Sequence, residues 1–406
     1  MDDILVISKK SLVDNPYHEL INLRKYRLVL IIDIKHKQST IKYSNLYEKI
    51  IYIENYFDDN LLMNYVNLFA TKYNFTRVVA TSELDVVRSA KIRELLNVKN
   101  GQNLDSAVAF RDKIKMKDYI KNVSVPEYRK INDFKDVVNF YKRLYPSPII
   151  VKPVDGAGSI GVHKVSSLKG LLLLKNSLLK NCEVEEYIDG EMYIVNGYMH
   201  NNKIQSIWCM KYVSDCLSFR DGNQAISIQL NENNKIIPDL LEATDSILKD
   251  LPTCTSFPFH LELFVRKDKE IVFCEIASRV GGGATNDAGK YIVGHNLLFD
   301  WIRNQVENTN IIKNKIKSNK VYAQVSIPPK DGVLKFIPKD TPFDWVLDYN
   351  IRASLGIRYK KPSSSAHRII SLVIEGASEN DLITKINTLN NWSEGNIIWE
   401  KGVDFE

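Results

Sequence analysis

The chain has 406 residues, 44% hydrophobic and 26% charged, an ordinary globular balance with interior enough for two or three domains. Its net charge of +6 is mild, and its 55 basic residues are scattered rather than gathered into a stripe. That argues against a nucleic-acid binder and suits a small anionic ligand. No segment approaches the ~20 apolar residues of a membrane span, MDDILVISKK does not read as a leader, and Cys182, Cys209, Cys216, Cys254 and Cys274 form no C-x-x-C pair. The expectation is a cytoplasmic protein with reduced thiols and neither nucleic acid nor membrane as partner.

In chain order, the short β-rich runs ILVIS (4–8), RLVLIIDI (27–34), KIIYI (49–53) and RVVAT (77–81) come first. They are interleaved with the helical patterns DNLLMNYVNLFATKY and SELDVVRSAKIRELL. Such alternation predicts a small parallel α/β unit. No G-x-G-x-x-G follows the first run, so the usual place of a dinucleotide fingerprint is empty. DSAVAFRDKIKMKDYIKN (105–122) reads as one helix. A helix over 133–144, a strand ending at Lys152, the short strand VHKV, a Leu-rich helix over 168–180 and the strand CEVEEYI follow. Two hairpins are predicted next: MYIVNGYMHNNKIQSIWCM, turning at Asn201-Asn202, and FHLELFVRKDKEIVFCEIA, turning near Asp268-Lys269. Further strands are expected at 322–327 and 368–374, and Ser378 to Asp381 caps a last helix.

VKPVDGAGSIGV (151–162) satisfies G-x-G-x-x-G at Gly156, Gly158 and Gly161. In a dinucleotide site a helix starts at the third glycine; here Val162-His163-Lys164-Val165 alternates like a strand. A Walker loop requires Lys-Ser/Thr where Val162-His163 stands. The loop therefore joins two strands, with Lys152 placed before the glycines. A strand lysine and a glycine-rich flap can grip anionic oxygens through backbone N–H groups; the alternative is a plain glycine-rich turn.

In the second hairpin, Glu262 and Glu275 lie equally far from the turn and so oppose each other on one sheet face, with side chains ~5 Å apart. Unless they form a solvated cross-strand pair, which is the alternative, two carboxylates among apolar neighbours need neutralising. A proton, a basic residue or a divalent cation would serve; a hard ion such as Mg2+, with oxygen ligands and bound phosphate, is the economical answer.

The order of these features, Lys113 in RDKIKMK, Lys152 before the flap, EVEEYIDGEMY, the carboxylate hairpin and EIASRVGGG with Arg279, resembles the ATP-grasp superfamily from about residue 75 to 303. In particular it resembles the carboxylate–amine ligases, such as the L-amino-acid (dipeptide) ligases. The resemblance implies an α/β and α+β architecture with an ATP-grasp fold. A Rossmann-like pre-ATP-grasp domain would occupy 1–105. An ATP-grasp region would occupy 106–303 (lid about 120–190, main grasp subdomain 191–303), and a C-terminal α+β subdomain 304–406.

By that pattern Lys113 and Lys152 contact the α- and β-phosphates, and the flap with Gly156, Gly158, Ser159 and Gly161 closes over the β- and γ-phosphates. Glu185, Glu186, Tyr187 and Ile188 read the adenine edge. Glu262 and Glu275 hold Mg2+, as two ions, with Mn2+ an alternative metal. Arg279 joins Lys152 as a catalytic group by clamping the transferring phosphoryl, and Gly281 to Gly283 let substrate approach the backbone. Two departures stand out. Ala277 occupies the place of a metal-ligating Asn, and Met192 that of the ribose-binding Glu, with Glu191 one residue early.

The implied chemistry is ATP-dependent activation of a carboxylate as an acyl phosphate, then attack by an amine. A carrier-protein thiol as acceptor is the alternative, and a non-catalytic ATP-binding module the reading of another class. Lys211 and Arg220 are candidate carboxylate binders, though surface charges are the plainer reading. His163, His260 and His295 have no required catalytic role, with His260 placed beside Glu262. A homodimer is the oligomeric state the resemblance suggests.

Overall fold

In the computed structural model, the β-rich runs near the N-terminus fold as parallel strands β1 (Asp2–Ser8), β2 (Tyr26–Asp33), β3 (Lys49–Ile53) and β4 (Phe75–Val79), ordered β3-β2-β1-β4. Residues 1–176, 179–213, 223–307 and 319–400 are described. Successive β1 residues bury alternate faces, Ile4 and Val6 on one side and Leu5 and Ile7 on the other. Such two-sided burial is what a parallel sheet requires. Part of the first cover comes from far along the chain: Ile302 and Val306 of helix Leu297–Glu307 pack there. Strand order reverses between β1 and β4, and ligands of such sheets bind at the carboxyl ends beside that switch point. The loop after β4 carries Glu83 there.

The helix expected over 105–122 is two helices, Leu104–Ala109 and Lys113–Tyr119. Asp112 causes the break. Its carboxylate accepts the N–H groups of Ile114 and Lys115, an N-cap inside an otherwise continuous pattern, so that Lys113 opens a new helix. The Leu-rich helix is also shorter than expected, running Leu168–Leu173 and then the 3-10 turn Leu174–Asn176.

Strands β5 (Tyr128–Lys130), β6 (Ile149–Pro153), β7 (His163–Val165) and β8 (Cys182–Glu186) form an antiparallel sheet ordered β5-β8-β6-β7. Val137, Phe140 and Tyr141 of helix Phe134–Leu144 pack in one core with its Ile149, Val151 and Val184. The glycine loop joins β6 to β7, two paired antiparallel strands, as the alternation after Gly161 predicts.

The remaining strands are β9 (Gly190–His200), β10 (Lys203–Tyr212), β11 (Ala225–Gln229), β12 (Ser256–Arg266), β13 (Ile271–Ala277), β14 (Val321–Ile327), β15 (Gly332–Phe336), β16 (Val346–Ile351), β17 (Arg358–Tyr359), β18 (Ile370–Gly376) and β19 (Ile398–Glu400). Eight of them make one sheet, β13-β12-β9-β10-β11-β14-β18-β16, and β17-β15-β19 make a small one. Three strands from the last hundred residues thus extend the sheet that carries the acidic hairpin. Helix Ile237–Asp250 covers one face, with Leu240 and Ile247 against Phe257 and Leu261. Helix Thr285–Val293 covers the other, with Ala288 beside Ile194 and Met210.

The β9–β10 turn falls at Asn201 and Asn202, at φ 50° and 59°, the left-handed pair of a type I′ hairpin. In β12–β13 the Arg266 N–H donates to the Glu270 carbonyl, so the loop is Lys267 to Lys269 and its centre is Asp268, half a residue from the expected point. A bulge compensates. Leu263 pairs with Phe273 but Glu262 pairs with Glu275, leaving Cys274 as the extra residue. Bulges re-aim side chains in this way beside functional sites.

Candidate active site

Lys113, the β6–β7 loop, the β8–β9 connection and the hairpin face meet around a cavity of about 480 Å³. Of the residues singled out from sequence, Lys113, Lys152, Gly156, Gly158, Ser159, Glu185, Glu186, Tyr187, Ile188, Glu191, Glu262 and Glu275 line it. Gly161 and Arg279 do not.

Beneath the cavity lies a network of four charges. Lys152 Nζ is 2.5 Å from Glu185 and 3.7 Å from Glu183, and Lys117 Nζ is 2.7 Å from each. The Lys117 and Glu183 side chains are fully buried. Two cations and two anions offset one another's desolvation, which none would survive alone. Burial opposes the charged form of Lys152, but Glu185 and Glu183 carry its ammonium well above the ordinary range. Burial likewise opposes ionisation of Glu185, and Lys117 and Lys152 overcome it, holding that carboxyl below its usual value. For Glu183 burial prevails and the carboxyl is raised. Lys117 escaped the sequence reading, although it stands one turn after Lys113 on the same helix face.

Lys113 Nζ sits 3.0 Å from Glu275 and donates to the Gly156 carbonyl at 2.9 Å. Burial would raise the Glu275 carboxyl, yet Lys113 and Lys152 pull it down to about 2. The flap is anchored from the C-terminal part: Ser364 Oγ and Ser365 N donate to the Gly158 carbonyl at 2.9 and 3.1 Å. Gly158 has φ 63°, and a Cβ there would lie 2.8 Å from Ser364 Oγ. Both the conformation and the space therefore favour glycine.

At the other end of the cavity the Glu186 carboxylate accepts from Arg266 at 2.6 Å, and Glu186, Tyr187 and Ile188 line the wall there. Glu191 accepts from Lys211 at 2.6 Å and Tyr193 at 2.8 Å. Its partners lie on the opposite strand face from Met192, as the one-residue offset implies. Lys211 is thus engaged at the cavity's mouth, while Arg220 and Cys216 lie outside the described residues. The other four cysteines are free thiols.

Arg279 points toward the N-terminal sheet. Its Nε is 2.5 Å from Glu83, which Arg111 also holds at 2.7 Å, and Arg111 donates to the Asp155 carbonyl of the flap. Burial would raise the Glu83 carboxyl, but Arg279 and Arg111 bring it below the usual range. Glu83 has no spacing signature in the sequence. Its one signal is position, after the carboxyl end of β4.

His260 Nδ1 lies 2.7 Å from Asn196 Oδ1, and its Nε2 lies 3.5 Å from Glu262, which accepts from Tyr212 at 2.9 Å. His295 is structural, bound to Asp300 at 2.6 Å and Ser206 at 2.9 Å. His163 is on β7, away from the carboxylates in sequence and sheet. Among the described residues no group of three or more His, Cys, Asp or Glu is placed to hold a metal unaided. Glu262 and the ionised Glu275 offer two hard oxygens, which fits a divalent ion completed by phosphate and water. No helix among the described residues is long and apolar enough to cross a membrane.

Residues 145–287 match the ATP-grasp domain family. An L-arginine-specific L-amino acid ligase of Bacillus subtilis is 25% identical over 285 residues, 64% of this chain and 65% of that protein. The match therefore spans less than two thirds of that relative's length. The L-amino acid ligase of Bacillus licheniformis has the same fold over 99% of both chains, with a TM-score of 0.74 at 15% identity. An N5-carboxyaminoimidazole synthetase of Staphylococcus aureus, solved with ADP, matches 95% of this chain and 96% of its own, with a TM-score of 0.66 at 13% identity. The parallel N-terminal sheet, the small antiparallel sheet with its glycine flap and the long sheet bearing the carboxylate hairpin accordingly form an ATP-grasp fold, whose ATP-grasp domain the family match places at residues 145–287.

Proposed function

We propose that the protein is an ATP-dependent carboxylate–amine ligase acting on an amino acid, forming an amide bond with release of ADP and phosphate. The observation that carries this reading is the pairing, in one cavity, of buried cations for phosphate with opposed carboxylates for a divalent ion. The resemblance to L-amino acid ligases supports the substrate class. In this reading ATP lies along the cavity, adenine at the backbone of 186–188 and phosphates at Lys113, Lys152 and the Gly156–Gly161 flap. The boundaries near 105 and 303 divide the pre-grasp, grasp and C-terminal parts. Glu262 and Glu275 would hold Mg2+, which would supply positive charge toward the phosphate oxygens.

A carboxylate resists amide formation because oxide is a poor leaving group. Its oxygen attacks the γ-phosphorus, the bond to the ADP oxygen breaks, and an acyl phosphate results. The amine nitrogen then attacks the carbonyl, phosphate departs with the bonding electrons, and the amine loses a proton. Lys152 neutralises charge gathering on the phosphoryl oxygens, and Arg279, held by Glu83 outside the cavity lining, joins it on turning toward the phosphates. The flap keeps water from the acyl phosphate.

Phosphate release from ATP and Mg2+, measured over amino acids singly and in pairs with mass analysis, tests the proposal. A product at the summed mass less water is the expected result. Release without a condensed product directs the search to a carrier-protein thiol acceptor. A protein that binds ATP but releases no phosphate across a broad panel is a binding module, and the ligase reading fails.

A further inference from the structure

We infer that Arg93 and Gln305 hold a small monovalent anion, of chloride's size, in a second cavity beside the Glu83–Arg279 pair. This site is separate from the nucleotide cavity and stands apart from the ligase reading. The cavity has a volume of about 20 Å³ and lies where three parts of the chain meet. Arg93 comes from helix Asp85–Leu95, Gln305 from helix Leu297–Glu307 and Cys254 from the segment before β12. Ser82 and Ser278 also line it, and each directly precedes a member of the Glu83–Arg279 pair. An ion there would pin the N-terminal sheet to the central one.

The cavity wall carries a positive charge that its neighbours leave uncompensated. Arg93 is buried, and its guanidinium donates to neutral acceptors: Nη1 to Ser89 Oγ at 3.1 Å and the Gln102 carbonyl at 3.2 Å, Nη2 to the Val78 carbonyl at 3.3 Å. Its Nε–H reaches no acceptor among the described residues, and no carboxylate among them stands beside it. Burial lowers its pKa only to about 10, so the charge persists at neutral pH. The acidic group nearby is the Cys254 thiol, which burial pushes up to about 11 and which donates to the Ser256 carbonyl at 3.5 Å. It stays neutral and balances nothing. A buried, unpaired cation is costly, and a guest that brings negative charge removes that cost where water does not. A second unused donor lines the same cavity. Gln305 Oε1 accepts the Ala80 N–H at 3.2 Å, which fixes the amide's orientation, and its Nε2 has no acceptor among the described residues. The hydroxyls of Ser82 and Ser278 already donate to Asp85 and Gln102. Both unpartnered side-chain atoms on the wall are therefore donors, the demand of an anion rather than of a water, which needs acceptors too. The volume suits a guest of one heavy atom, so a halide fits and phosphate or a carboxylate does not.

The full chain, crystallised in sodium bromide and measured at the bromine absorption edge, should show an anomalous peak between Arg93 and Gln305. In solution, the melting temperature should rise by a few degrees as sodium chloride replaces sodium gluconate at constant ionic strength, since gluconate is too large to enter. Gln305→Glu keeps the acceptor for Ala80 and supplies the negative charge from the protein itself. That variant should lose both the chloride dependence and the bromide peak, and in gluconate it should melt above the wild type. An absent peak in the wild-type cavity overturns the proposal and leaves water as its guest. A Gln305→Glu protein that keeps the peak or the full chloride dependence overturns it equally. The wild-type bromide measurement decides the matter even if the variant fails to fold. None of these readouts involves ATP turnover, so the ligase reading is tested separately.

Discussion

Charge at this site is decided residue by residue, by which neighbours offset burial. Lys117 shows the strongest dependence. Removing its ammonium leaves Glu183 and Glu185 facing Lys152 alone in a buried setting, a loss on the order of 3–5 kcal/mol. Lys117→Met should lower the melting temperature accordingly, and adding Glu183→Gln should restore much of it; a Lys117→Met protein that melts like wild type refutes the network. Glu275 makes a pH prediction. Its folded pKa of about 2 lies below its ordinary 4.5, so its stabilisation is present above the ordinary value and is lost as pH falls from there toward about 2. Glu275→Gln should flatten that acid limb in denaturant titrations between pH 5 and 3. The same variant should abolish metal-dependent phosphate release, and unchanged turnover would remove Glu275 from the proposed metal ligands.

At the scale of elements, local chemistry places Lys113 and the glycine loop. The Asp112 N-cap starts the Lys113 helix, and Asp112→Ala should cost about 1 kcal/mol while raising KM for ATP, since Lys113 loses its fixed starting point. An unchanged KM with lowered stability would show that Lys113 finds its place without the cap. The flap depends on Gly158. Gly158→Ala imposes a left-handed strain and a contact with Ser364, and should weaken ATP binding several-fold by calorimetry. Hairpins were legible because turn chemistry is local: Asn201-Asn202 reads as left-handed in the sequence itself. The break at Asp112 was in principle legible too, but the apolar period running through 105–122 outweighed a single capping residue. The Glu262–Glu275 pairing emerged from counting outward from the turn, and it holds because the Cys274 bulge restores the register that the three-residue loop displaces.

Across the whole molecule, the site is assembled from distant parts. Glu83 comes from the loop after β4, Arg111 from the interhelix turn, and Arg279 from just past β13, yet they form one chain of ion pairs that a hydrogen bond from Arg111 to the Asp155 carbonyl ties to the flap. Glu83→Gln should loosen Arg279 and lower kcat roughly tenfold with ATP affinity unchanged; a fall in ATP affinity at constant kcat would place Glu83 elsewhere in the cycle. By itself the sequence determined most of the elements, the flap between two strands with Lys152 just before it, and the facing carboxylates, because each depends on residues a few positions or one hairpin apart. Only the tertiary structure decided that Lys117 neutralises Glu183, that Glu83 holds Arg279, that helix Leu297–Glu307 covers the N-terminal sheet and that β14, β18 and β16 extend the central one. Those contacts join positions separated by tens to hundreds of residues, where no periodicity connects the partners and only the packing of complete sheets brings opposite charges and apolar faces together.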